Sequence, residues 1–148
     1  MDFNLAGRVA VITGPAKGMG AAITKAFAAE GSLLALIGRD TAAIVVPCDL
    51  TQAKQCERAA ATTLAAYGRI DILVNVAGGS GPVGKSGVET TPEEFDDIVT
   101  LNMNGCFHTM RSVLPTMIAQ RYGKIVNVGG TFGMRGRLKQ SLKRVLSR

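Results

Sequence analysis

The sequence predicts an α/β fold: a doubly wound parallel sheet covered by helices on both faces. Three observations predict it. Five short runs, RVAVIT (8–13), LLALIG (33–38), AIVVPC (43–48), DILVNV (71–76) and KIVNVG (124–129), are apolar nearly throughout instead of alternating. That is the pattern of strands buried on both faces. Stretches with helical spacing separate most of them. Three of the runs end in small-residue turns, TGPAKGMG, NVAGG and NVGGT. In parallel sheets ligands sit beyond the carboxyl ends of the strands, where these turns fall.

The elements follow in order. Residues 8–13 form the first strand. Residues 18–30 form a helix, with Ile23 and Phe27 four apart on one face and Gly31 as its stop. Residues 33–38 and 43–48 are the second and third strands. Thr51 is placed to cap a helix over 52–67 that ends near Gly68. Residues 71–76 are the fourth strand, followed by the glycine-rich loop AGGSGPVGKSGVETT. Thr91-Pro92-Glu93-Glu94 then gives three start signals at once: Thr at the N-cap, Pro at the first helical position and Glu at the third. This helix should run to about Gln120, and residues 124–129 are the fifth strand.

Composition narrows the function classes. The chain has 148 residues, 47% apolar and 19% charged, enough for one globular domain with a real core. No apolar run approaches the roughly 20 residues that span a bilayer, and the start has no secretory pattern. A cytoplasmic protein is expected, with no membrane partner. Cys48, Cys56 and Cys106 lack metal-ligand spacing and read as thiols in a reducing compartment, so no metal is expected. The formal charge of +6 invites a nucleic-acid reading, but Arg135, Arg137, Lys139, Lys143, Arg144 and Arg148 carry the whole excess. Residues 1–134 are balanced. The chain therefore divides into a charge-balanced domain over 1–134 and a basic tail over 135–148, with no nucleic-acid partner expected. The tail places Leu138, Leu142, Val145 and Leu146 on one helical face.

Thr13-Gly14-x-x-x-Gly18-x-Gly20, Asp49-Leu50, Asn75-Val76-Ala77-Gly78 and Leu101-Asn102-Met103-Asn104-Gly105 together resemble the short-chain dehydrogenase/reductase family over residues 5 to about 136. The resemblance implies a Rossmann-like sheet of order 3-2-1-4-5. It implies reversible hydride transfer between a nicotinamide dinucleotide and a small alcohol/ketone substrate. It makes Thr13, Gly14, Lys17, Gly18, Met19, Gly20, Arg39, Asp49, Leu50, Asn75, Ala77 and Gly78 the cofactor-binding residues. The glycines let the first turn close and aim the next helix's N-terminus at the pyrophosphate. Asp49 would accept at the adenine edge. Asn75 would steady the central sheet, with Val76 standing where the family has a second Asn. Asn102 matches the helix Asn whose local distortion holds a water in the family's proton relay. His108 reads as packing or a subunit contact. The family's helix partner implies a homo-oligomer through 92–120.

The end of the second strand bears on cofactor choice. NAD-preferring relatives place an acid at the position aligned with Gly38. Here Arg39 follows instead, and Lys17 stands nearby in the motif; two cations suit a 2′-phosphate, so NADP is expected over NAD. Asp40 keeps NAD open.

The pattern also breaks. The family's catalysis needs Tyr-x-x-x-Lys, but Asp71 and Val126 stand four residues after Tyr67 and Tyr122. The expected Ser position reads Gly129-Gly130-Thr131, making Thr131 a substitute orienter of the carbonyl. Only Arg39 to Ala42 separate the second and third strands, where a parallel crossover takes roughly a dozen residues. Either a helix is missing there or 43–48 does not lie beside 33–38. The chain therefore reads as a truncated or internally deleted member, lacking the C-terminal strands and the catalytic helix.

Overall fold

The computed structural model describes residues 3–38 and 44–130 of the chain. Arg39, Asp40, Thr131 and the tail 135–148 lie outside the described residues, as does the connection where a deletion was expected to show.

The elements run β1 (Val9–Thr13), α1 (Gly18–Ala29), β2 (Leu33–Gly38), β3 (Ile44–Pro47), α2 (Ala53–Tyr67), β4 (Ile72–Asn75), α3 (Pro92–Val99), α4 (Gly105–Ala119) and β5 (Lys124–Asn127), with a π-helical turn over Thr100–Asn104 joining α3 to α4. The five strands form one parallel sheet in the order β3-β2-β1-β4-β5. The Rossmann-like order expected from the sequence is therefore present.

The sheet is double-sided because its central strand is apolar from Val9 to Ile12. Every residue of β1 is buried. Val11 faces one core with Ala35, Ile37, Leu73, Val113 and Met117, under α2 and α4. Ala10 and Ile12 face the other with Leu36, Ile72 and Val74, where Ile23 and Phe27 of α1 pack. The four-residue spacing of Ile23 and Phe27 is what lets α1 cover that face.

Helix ends follow local chemistry. Thr91 and Glu94 form a complete capping box with Pro92 inside it. Gly68 ends α2 in the left-handed conformation. Past α1, the Gly31 N–H donates to Ala28 and the Ser32 N–H to Phe27, the paired bonds of a Schellman motif.

Several expectations need correcting. Thr51 does not cap α2. The N-cap is Gln52, whose side chain makes no capping bond, and Thr51, one residue before it, donates its N–H and its hydroxyl to Asp49. The helix over 92–120 is not uniform, since the π turn widens it at 100–104. β1, β4 and β5 are one or two residues shorter than expected, and β3 ends at Pro47, one residue early. β5 is half-open, with Val126 49% exposed, because it is the outermost described strand on its side.

The crossover between β2 and β3 resolves one of the two alternatives. The strands pair in parallel, with Ala35 opposite Ile44 and Gly38 opposite Pro47. The chain need retreat only from Gly38 to the level of Ala35, about 10 Å along the strand and ~5 Å across. That is within reach of the intervening chain, which can span up to ~20 Å. The strands are neighbours, and the connection is too short for an ordinary crossover helix.

Candidate functional site

The turn after β1 is built by exclusion of side chains. Gly14 has φ +65°, and a Cβ there would lie 2.9 Å from the Ala77 backbone. A Cβ on Gly20 would lie 1.9 Å from the Gly14 carbonyl oxygen and 3.3 Å from Pro15 Cα. The backbone thus folds onto itself more closely than any side chain allows, and α1 begins directly over the strand end. Its N-cap, Lys17, is extended and supplies no side-chain acceptor, and no acid lies in the first turn. The contrast with α3 is direct, since there Thr91 and Glu94 satisfy the leading N–H groups. The first N–H groups of α1 therefore have no side-chain cap, and the turn leaves them beside exposed Lys17, Gly18 and Met19. A helix start of this kind, free of carboxylates, fits the pyrophosphate of a dinucleotide.

The neighbouring strand end is tied to this turn. Thr13, buried, accepts from the N–H groups of both Val76 and Ala77, each at 3.1 Å. Its hydroxyl is a strut between β1 and the loop after β4, not an exposed contact. Ala77 packs on Gly14, and Gly78 is exposed beside them.

Asn75 sits under the strand ends in a closed network. Its Nδ2 donates to Asn127 Oδ1 at 2.9 Å and lies 3.3 Å from Cys106 Sγ. Its Oδ1 accepts from the Thr109 hydroxyl at 2.8 Å. Cys106 also approaches Asn127 Oδ1, at 3.1 Å. β4, β5 and α4 are thereby locked together. Burial pushes the Cys106 thiol above its ordinary pKa, against the Asn75 amide that lowers it. Asn127 and Thr109 were not singled out from the sequence. A signal for Asn127 existed: Val-Asn-Val occurs at 74–76 and again at 126–128, and the sheet register pairs Asn75 with Asn127.

Asn102 lies in the π turn and fixes the loop after β4. Its Oδ1 accepts from the Gly79 N–H at 3.1 Å, and its Nδ2 donates to the Gly79 carbonyl at 3.0 Å and to Ile98 at 2.8 Å. A Cβ on Gly78 would meet the Asn102 oxygen at 2.6 Å. The expected local distortion at Asn102 is present, and its side chain holds backbone. A hollow of about 190 Å³ opens beside it, lined in part by Gly79, Gly81, Pro82, Ile98 and Leu101.

The third wall is the β3–α2 turn. The Asp49 carboxylate accepts from Thr51, and the Asp49 N–H donates to Gln55 at 2.8 Å. Leu50 is a core residue packed beneath Gly105, and its carbonyl accepts from His108 Nδ1 at 3.0 Å. His108 thus anchors this turn to α4. At the end of β2, Gly38 faces Pro15, whose Cδ would lie 3.1 Å from an added Cβ. The residues expected at 13–20, 49–50, 75–78 and 102 therefore converge on one edge of the sheet. Arg39 and Thr131 lie outside the described residues.

A family model for short chain dehydrogenases matches residues 8–142. The chain belongs to the short-chain dehydrogenase family. A sorbitol dehydrogenase from Cereibacter sphaeroides is 36% identical over 149 residues, covering 90% of this chain and 57% of that protein. A metagenomic short-chain oxidoreductase crystallised with NADP superposes with a TM-score of 0.83 at 30% identity, over 97% of this chain and 71% of that one. The 3-ketoacyl-(acyl-carrier-protein) reductase of Brucella melitensis, solved with NADH, gives 0.84 at 29% identity, over 97% and 65%. The chain spans a little over half the length of the curated relatives it matches. No helix among the described residues is long and apolar enough to cross a membrane.

Proposed function

We propose that residues 1–134 form an incomplete dinucleotide-binding domain, with 135–148 a tail, of an oxidoreductase that transfers hydride between NADP(H) and a small alcohol/carbonyl substrate. The observation that carries the reading is the uncapped start of α1, folded onto the Gly14 carbonyl at a distance only glycine at position 20 permits. Backbone N–H groups from Gly18, Met19 and Gly20 would hold the pyrophosphate. Asp49 would accept from the adenine, and the Ala77–Gly78 backbone would line the ribose. The bound nicotinamide would supply or accept the hydride. Thr13 and Asn75 keep the two strand ends in register, and Asn102 holds the loop at Gly79 so that the substrate side keeps its shape.

The preference for NADP rests on charge. Lys17 is exposed at the start of α1, and Arg39 follows β2 in sequence. The position aligned with the NAD-selecting acid is Gly38, and Pro15 crowds the space that a side chain there would need. The sequence holds no Tyr-x-x-x-Lys, so the 148 residues alone should bind cofactor without turnover, since a missing general acid costs ~10²–10⁴ in rate. Thr131 has no adjacent Lys and is too weak an acid to substitute.

Self-association through 92–120 belongs to the same proposal. Met103, Phe107, Leu114 and Ile118 are 67%, 57%, 40% and 70% exposed and recur at helical spacing, a stripe suited to a second helix pair.

The test is titration of mass-verified chain with NADPH and NADH, with ketone reduction followed by nicotinamide absorbance. Tighter NADPH binding, reversed by Arg39→Asp, is the expected result. Equal affinities, unchanged in that variant, would refute the NADP assignment. Steady ketone reduction would refute the absence of turnover.

A further inference from the structure

The turn between β3 and α2 is held at its base by two thiols. Cys48 follows β3 and Cys56 lies in the first turn of α2, with their Sγ atoms 3.8 Å apart in hydrogen-bonding contact. Both are buried, at 6% and 1% exposure. Between them run Asp49, Leu50, Thr51 and Gln52, the segment organised by the Asp49 carboxylate. Cys56 Sγ also lies 3.8 Å from the Leu50 carbonyl. Neither thiol has a part in holding a dinucleotide. The third cysteine, Cys106, belongs to the separate Asn75–Asn127 network.

We propose that Cys48 and Cys56 form a two-electron redox site, a dithiol that a hydroperoxide converts to an intrachain disulfide clipping the turn that carries Asp49. The sulfurs need only close from 3.8 Å to the bonding distance of about 2.05 Å. Buried thiols in apolar surroundings are ordinarily inert. Here the hydrogen bond between the two thiols lowers the pKa of Cys48 against the opposing effect of burial, and raises that of Cys56. Cys48, the less buried of the two, is therefore the attacking group. Its thiolate attacks the terminal peroxide oxygen. The O–O bond breaks, an alcohol or water leaves, and Cys48 becomes a sulfenic acid. The Cys56 sulfur then attacks the Cys48 sulfur, the S–O bond breaks, and hydroxide leaves as water with the Cys56 proton. The two thiols lose two protons and two electrons, and one hydroperoxide is reduced to an alcohol or water, with one further water formed. The closed ring spans only residues 48–56, so the sheet is not disturbed, and dithiothreitol reverses the step.

The experiment uses the full chain under native conditions, treated with hydrogen peroxide, quenched, denatured, alkylated with iodoacetamide and weighed. Untreated protein should take three alkyl groups. Oxidised protein should take one, on Cys106, and a peptide map should join Cys48 to Cys56. Dithiothreitol should restore three, and Cys106→Ser should still form the bond. Hydrogen exchange at 49–52 should slow in the oxidised form. Three alkylated thiols after peroxide, a disulfide that includes Cys106 or a second chain, or sulfinic acid in place of the bond would overturn the proposal. None of these readouts depends on cofactor binding or turnover.

Discussion

Gly20→Ala is the sharpest test of how the first turn works. The added Cβ would sit 1.9 Å from the Gly14 oxygen, where 3.0 Å is the practical floor, so the turn must retreat by at least 1.1 Å. The obstructing atoms are backbone and cannot rotate away. Overpacking of this kind costs about 1–3 kcal/mol, which for a chain of this size lowers Tm by roughly 2–12 °C. The binding effect is separate. A retreat of this size breaks the alignment of at least one N–H with a bound phosphate. One hydrogen bond to a charged group is worth about 1.5–3 kcal/mol, or roughly 10- to 150-fold in Kd. Gly7→Ala is the control. Gly7, unlike Gly20, has positive φ; it lies at the opposite end of β1, with open space at its Cβ. It should lower Tm through backbone strain without weakening NADPH. The assay is thermal unfolding together with NADPH fluorescence titration. Unchanged NADPH affinity in Gly20→Ala, or equal affinity losses in both variants, would refute the reasoning.

Three further outcomes follow from the same contacts. Asn102→Ala removes both bonds to Gly79 and the one to Ile98, so the loop after residue 78 should become protease-sensitive, with a stability loss of about 1–3 kcal/mol by chemical denaturation. Thr91→Ala removes one half of the capping box and should cost about 1 kcal/mol in the same measurement, while its NADPH affinity should stay unchanged. Asp71 is buried, which raises its pKa, but Arg69, the Val9 N–H and Arg8 outweigh burial and hold it below the usual carboxylate value. Its stabilisation is therefore full above the unfolded pKa near ~4 and is lost as pH falls through the lower folded value, so Asp71→Asn should flatten the acid limb of the stability–pH profile.

The sequence made legible what is local. β1 reads directly because a strand buried on both faces is apolar wherever no hydrogen bond satisfies a polar group, and Thr13, its one polar residue, has such bonds. The α3 cap reads because its three signals lie within four residues. The turn after β1 reads because close backbone approach demands glycine at positions 14 and 20. What escaped is non-local. The Asn75–Asn127 bond joins residues 52 apart and depends on β4 and β5 being neighbours. The expected Thr51 cap failed because the helix takes Gln52 as its N-cap, and Thr51, one residue outside, turns its N–H and hydroxyl back to Asp49. The π turn at Thr100–Asn104 has no signature in hydrophobic spacing, and only the resemblance pointed to a distortion there. The unusually short step from β2 to β3 looked prohibitive until the register showed how little of β2 the chain retraces.

The central claim is that a dinucleotide binds at the carboxyl edge of this sheet. Hydrogen exchange with and without saturating NADPH tests it most directly, because it locates the ligand without requiring turnover. Protection should appear at the 14–20 turn, at 49–50 and at 76–79, and residues 4–8 and 69–71 at the opposite edge should not change. Protection confined to that opposite edge, or none at saturating ligand, would contradict the account.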